Sequence, residues 1–286
     1  MQLESFEQLE QIVFDADMVV VGLGEEWVLN EKNILDDLKE KNAKLWEIFS
    51  VAEKEKQYQK LLPFLTAYYY EKYVPENLKR AYENMLKLLE GKNYFIVSLS
   101  IDSYLKKIGF KENRYVNPCG TYEKIQCKAG CEQTLKSSEE LFGKIQDWLE
   151  NTLNTDRDGQ SVNLLLDKGL EIFDNIHCEK CGADIGFNCL DSNKYLEEGY
   201  LEQWQFYMKW LQGTLNKKLV VIEAGAGMKL PSVIRWPFEK TVFYNQKANM
   251  VRIHQKYYQV NEEIAERSYG CKYNSVRFFG EKNLEA

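Results

Sequence analysis

Four cysteines carry the strongest chemical signal in the chain: Cys127-x3-Cys131 and Cys178-x2-Cys181. Each short-spaced pair can wrap one thiolate-bound metal ion, and two such pairs complete a tetrahedral S4 site. Zinc is the expected metal, and its role is structural, because four protein ligands leave no open position for water. Gly130 and Gly182 stand where knuckle turns need small residues, and Lys128 and Lys180 offset the negative charge of the thiolates. The spacer over 132–177 exceeds that of a compact ribbon and must carry a helix. The competing reading is four unrelated buried cysteines. His177, beside Cys178, could replace one sulfur, whereas Cys189 and Cys271 have no spaced partner and read as core.

Two glycine-bearing loops and one acid form a second group. Gly22-Leu-Gly24 follows an apolar run, where a dinucleotide-binding fold turns onto phosphate. A full fingerprint needs glycine at position 27, which is Trp27, and Glu25 and Glu26 compete with a pyrophosphate for the same field. A plain strand-to-helix turn explains this loop equally well. Ala224-Gly225-Ala226-Gly227 follows a second run, with Lys229 in reach of a phosphate or, alternatively, as part of a tight packing turn. Asp102 lies just beyond a third, either capping a helix or binding a substrate amide in the same crevice.

These residues need a sheet to position them. Asp17–Gly22, Tyr94–Val97 and Leu219–Ile222 are short, β-branched and continuously apolar, as strands buried on both faces are. Arg114–Asn117, Thr241–Tyr244 and Met250–Ile253 are further strand candidates. Ser5 with Gln8 reads as a capping box, and residues 31–90 read as helical up to a stop at Gly91. Tyr200, Trp204, Tyr207, Met208 and Leu211 share one helical face, more core than cofactor box. Strands alternating with helices predict an α/β fold: a Rossmann-like parallel sheet with helices on both faces, built from 1–40, 91–118 and 196–286. The helical insertion 41–90 and the zinc-ribbon module 119–195 are expected to make a smaller domain.

Composition is that of an ordinary globular chain: 286 residues, 44% hydrophobic and 28% charged. The net charge of −7, without a long basic run, argues against a nucleic-acid partner. No apolar run approaches the ~20 residues that a membrane span requires, and no secretory signal is visible at Met1. A cytoplasmic protein is expected, with thiols that hold metal rather than disulfides.

The order of these pieces resembles the sirtuin family, closest to the class M (macrodomain-linked) microbial sirtuins. The resemblance rests on Ile101-Asp102 with Lys107-Ile-Gly-Phe110, and on Cys119-Gly120-x-Tyr122 through Gln126-Cys127. It rests also on Glu223-Ala-Gly-Ala-Gly227 with Pro231, and on Ile234-Arg-Trp-Pro-Phe238. It spans about 90–280, with only the first strand and its loop recognisable before that. It implies NAD as cosubstrate and a protein substrate, a lipoyl carrier or an acyl-lysine protein. Class M members look like protein ADP-ribosyltransferases, whereas most sirtuins remove acyl groups from lysine. By the same resemblance, Asp102 orients nicotinamide, while Gly22, Gly24, Gly225, Gly227 and His254 line the dinucleotide.

The chain departs from the family pattern at four places, the first being Glu25-Glu26-Trp27-Val28 in place of the small-residue segment after Gly24. Ser100 stands where an asparagine normally contacts ribose, and His254 where an asparagine lies near the adenosine ribose. Cys119 takes the position of the deacylase histidine, which is glutamine in class M members. It reads as a nucleophile or base, as a small buried residue, or as a spare thiol near the zinc. Two functions therefore stand side by side. One is a divergent ADP-ribosyltransferase or deacylase using Asp102, Cys119 and Ser100; the other is a degenerate sirtuin-fold module that binds NAD, ADP-ribose or a partner protein.

Overall fold

The computed structural model describes residues 1–131, 135–153, 161–190 and 194–282. The strands are β1 Met18–Leu23, β2 Asn93–Ser98, β3 Tyr115–Val116, β4 Gly120–Cys127, β5 Lys136–Ser137, β6 Ile185–Cys189, β7 Leu219–Ala224, β8 Asn249–Ile253 and β9 Ser268–Cys271. The helices are α1 Phe6–Phe14, α2 Glu31–Lys41, α3 Ala43–Lys54, α4 Leu62–Lys72, α5 Glu76–Leu88, α6 Tyr104–Ile108, α7 Glu139–Leu153, α8 Val162–Phe173, α9 Leu201–Gln212, α10 Arg235–Tyr244 and α11 Ser275–Glu281.

Two compact units emerge. The first comprises Met1–Val28, Val74–Cys119 and Tyr200–Ala286, and the second Leu29–Tyr73 and Gly120–Gly199. In the first, six parallel strands run in the order β3-β2-β1-β7-β8-β9. The order reverses between β1 and β7, which makes their carboxyl ends the topological switch point of a doubly wound sheet. Every residue of β1 and β7 is buried, because the sheet is covered on both faces. One face packs Val20, Val97, Val221 and Met250 against Tyr207 and Trp210 of α9 and Phe238 and Val242 of α10.

Helix α5 belongs to the first unit rather than to the helical insertion expected over 41–90. Its buried stripe Leu78, Ala81, Tyr82 and Met85 repeats at helical spacing, and it packs on α11. The run Thr241–Tyr244, expected as a strand, is the end of α10. Short apolar runs do not distinguish the two states; here Phe238 and Val242, four apart, face the core while Tyr244 is exposed. The sixth strand is instead β9, Ser268–Cys271, which has no alternating or continuous apolar pattern.

The second unit joins α2, α3, α4, α7 and α8 to an antiparallel sheet of order β5-β4-β6. Phe64 stacks on Phe173 at 4.1 Å, and Trp148 meets Phe173 edge-on at 5.5 Å, tying three of its helices together. Among the described residues, no helix is long and apolar enough to cross a membrane.

Candidate active site and metal centre

The candidate metal centre is built by the ends of two strands. Cys127 closes β4, and Cys178 and Cys181 lie just before β6, which pairs with β4 at Cys127↔Ile185. Gly130 and Gly182 adopt left-handed φ of 63° and 71°, which an L side chain disfavours, and their N–H groups donate to Cys127 O and Cys178 O. The two turns are the knuckles. They bring the four sulfurs within 4.8 Å of one another, with separations of 3.5 Å (Cys127–Cys181), 3.6 Å (Cys127–Cys131) and 3.4 Å (Cys131–Cys178). Zn–S bonds of about 2.3 Å in a tetrahedron require sulfurs about 3.8 Å apart, so the cluster fits zinc. The Cys131 N–H pulls the Cys127 thiol down while the Cys181 sulfur pushes the Cys131 thiol up, as in a cluster of thiols sharing protons at close range. His177 is paired elsewhere, with Nδ1 3.5 Å from Asp184.

The parallel register places the second group at one end of the sheet of the first unit. Leu23 is level with Ser98 and Ala224, Ala224 with Ile253, and Ile253 with Cys271. Each exit is fixed by one more bond: Leu99 N to Leu23 O, Gly24 N to Ala224 O, Gly225 N to Ile253 O and His254 N to Cys271 O. The loops that follow, bearing Asp102, Gly24, Gly225 and His254, therefore share the carboxyl end.

Asp102 is buried in the loop after β2. One carboxylate oxygen accepts from the Ser100 hydroxyl and the other from Tyr104 N at 2.8 Å. Asn117 Nδ2 donates to Ser100 O at 2.7 Å and so fixes the loop that carries both residues; nothing in its sequence position marks that role. Burial pushes the Asp102 carboxyl from 3.8 up to about 6, against the pull of Ser100, Tyr104 N–H and Lys107. Cys119 ends the same stretch, 5% exposed, in the apolar cluster with Leu99, Val116 and Ile234.

The glycines divide into two groups. Gly22 lies within β1, and a side chain there would strike Ile234 and Phe238 of α10. Gly24, Gly225 and Gly227 lie at the switch point. A Cβ on Gly24 would collide with Ala226, on Gly225 with Glu26, and on Gly227 with Glu25. The space beside Gly225 and Gly227 is filled by this chain's own acids. Glu25 Oε1 accepts from Lys229 N at 2.7 Å. Glu26 accepts from Ser275 N and Oγ, both at 2.7 Å, and from Gln255 N at 3.0 Å. His254 Nδ1 accepts from Lys256 N and Tyr257 N and lies 3.6 Å from Glu26. Desolvation lowers the His254 pKa, favouring a neutral ring.

A buried ion cluster braces this end. Glu223, at the end of β7, takes Arg252 Nη2 at 2.9 Å and Arg235 Nη1 at 3.0 Å. Arg235 also donates to Ala226 O at 3.0 Å, holding the Gly225–Gly227 loop, and Arg252 reaches Glu239 at 2.7 Å. Sequence reasoning meets Glu223 and Arg235 only as members of two motifs and passes over Glu239 and Arg252, because charges at positions 223, 235, 239 and 252 meet only on folding.

No family model matches the chain. Among curated proteins it is similar to a protein ADP-ribosyltransferase of Staphylococcus aureus, 22% identical over 206 residues, which make up 68% of this chain and 58% of that protein. It is also similar to a probable bifunctional ADP-ribose hydrolase/ADP-ribosyltransferase of Fusarium oxysporum f. sp. cubense, 21% identical over 57% of this chain and 26% of that protein. The chain thus spans less than two thirds of the length of either relative. Among solved structures, one from work on sirtuin substrate affinity matches with a TM-score of 0.53 at 14% identity, over 96% of this chain and 95% of that one. A Sir2 homolog–NAD complex matches with a TM-score of 0.51 at 10% identity, over 99% and 94%. A Sir2 structure with a p53 peptide and NAD+ matches with a TM-score of 0.51 at 14% identity, over 96% and 95%. The chain has the sirtuin fold.

Proposed function

We propose that this sirtuin-fold chain is an NAD-dependent protein ADP-ribosyltransferase of the class M type, with a structural zinc held by Cys127, Cys131, Cys178 and Cys181. The observation that carries the reading is Asp102. A carboxyl withdrawn from water at the carboxyl end of the sheet, held by Ser100 and Tyr104 N–H and titrating near 6, suits a group that binds a carboxamide. The names of the two curated relatives support transfer of ADP-ribose. Deacylation is less well supported, because the base position holds Cys119, buried among apolar side chains.

NAD would supply a ribose activated by the departure of nicotinamide, and the acceptor would be a protein. What the chain contributes on this reading is recognition and exclusion of water around Asp102, with Ser100 and Asn117 as positioning residues. The phosphate donors at the switch point do not fit NAD as they stand, since Glu25 and Glu26 hold them. That arrangement favours a second reading, a module that binds a partner without turnover.

The protein incubated with radiolabelled NAD and cell lysate should label a protein acceptor and release nicotinamide, and Asp102→Asn should abolish both. Absence of label and of nicotinamide, from wild type and from a variant lacking both Glu25 and Glu26 carboxylates, sinks the transferase reading.

A further inference from the structure

We infer that Glu25 and Glu26 are an internal stand-in for the phosphates of the ligand and hold this site closed until they are displaced. The inference deepens the proposed function and rests on it for the identity of the ligand, but not for the existence of the anion cradle.

Two adjacent carboxylates in an acidic chain would ordinarily turn apart into water. Here both accept from backbone N–H groups in distant parts of the chain: Glu25 from the exposed Lys229 after β7, and Glu26 from Gln255 after β8 and from Ser275 at the start of α11. The Ser275 hydroxyl adds a fourth donor. Donors converging from several loops on bound anions at a topological switch point form the arrangement by which doubly wound sheets take a pyrophosphate. In this chain the bound anions are its own side chains. An incoming diphosphate and the Glu25–Glu26 pair therefore compete for the same N–H groups.

The segment is also anchored. Trp27, fully buried, meets Tyr82 at 4.9 Å and Phe279 at 5.8 Å, and its Nε1 donates to Ser275 Oγ at 3.0 Å. Trp27 Nε1, Ser275 Oγ and Glu26 thus form one chain of hydrogen bonds, so displacing Glu26 perturbs the Trp27 indole.

The test is calorimetric titration of the full chain with inorganic pyrophosphate and with ADP-ribose. Wild type is compared with the single variant Glu26→Gln and the double variant Glu25→Ala/Glu26→Ala. The double variant should bind both probes at least tenfold more tightly than wild type, with Glu26→Gln intermediate. Equal affinities across the three proteins, or no binding of pyrophosphate by any variant, overturn the inference. Tighter pyrophosphate binding by the variants, with no binding of ADP-ribose or NAD, upholds the cradle and removes the NAD reading. If the double variant does not fold, wild type decides. Saturating ADP-ribose should change an emission component that Trp27→Phe removes, and an unchanged Trp27 signal with ADP-ribose bound overturns displacement.

Discussion

Arg252 Nη2 donates to Glu223 Oε2 at 2.9 Å, and neither side chain reaches water. The pair joins β7 and β8 at the carboxyl end of the sheet, which carries the glycine loop, so its loss has both a stability and a positional consequence. Glu223→Gln removes the charge and leaves Arg252 and Arg235 with only part of their compensation. Breaking such a buried pair from one side costs about 3–5 kcal/mol. Denaturant unfolding should show a loss near the lower figure, since Glu239 still faces Arg252. A loss below 1 kcal/mol would mean that the cluster is solvated.

Asp102 makes stability depend on pH. Its folded pKa, about 6, lies above the usual 3.8, so between these values the folded protein keeps a proton that the unfolded chain has released. Stability therefore falls as pH rises through this window, by roughly 3 kcal/mol at most, and stays low above it. Asp102→Asn should melt several degrees above wild type at pH 8 and together with it at pH 4. A gap that is the same at both pH values would show that ionisation is not the cause.

The cysteine cluster should hold one zinc per chain by elemental analysis, and Cys178→Ser should lose it. Because such ligands are brought together only in the folded state, metal binding is linked to folding. A strong zinc chelator should lower the melting transition by on the order of 10 °C, with restoration on adding zinc back. An unmoved transition in a protein shown to be stripped of metal would contradict a structural role.

Gly22 separates packing from ligand contact. Its missing side chain leaves room for Ile234 and for Phe238, whose ring would lie 2.8 Å from a Cβ. Gly22→Ala should destabilise by about 1–3 kcal/mol through overpacking of α10 on β1. Affinity for ADP-ribose measured well below the melting temperature should stay within twofold of wild type; a large affinity loss without a stability loss would place Gly22 on the ligand instead.

Much of this was legible without coordinates, where local pattern suffices. Met18–Val21 and Leu219–Ile222 are continuously apolar because a central parallel strand is buried on both faces, and that signature needs no partner to be read. The cysteine pairs are equally local, since each knuckle is closed within a few residues. Ser268–Cys271 was not legible: an edge strand with intermediate burial at Tyr269 and Gly270 owes its state to the β8 edge rather than to its own composition. Residues 76–88 were readable as a helix but not as to their unit, because the choice of α11 as partner lies nearly two hundred residues away.

The paired cysteines, the buried strands and the loops at their ends were determined by residue type and spacing, because knuckle turns and hydrophobic burial act over short stretches of chain. The placement of Glu25 and Glu26 was decided only by tertiary structure. Glu25 and Glu26 beside a glycine loop read equally as solvent-facing charges or as rivals of a ligand. What settles their position is that the N–H groups of Lys229, Gln255 and Ser275, far along the chain, converge on them when the six strands align. Backbone N–H donors that converge take the nearest acceptor, and in this fold the anions nearest to these three belong to the chain itself.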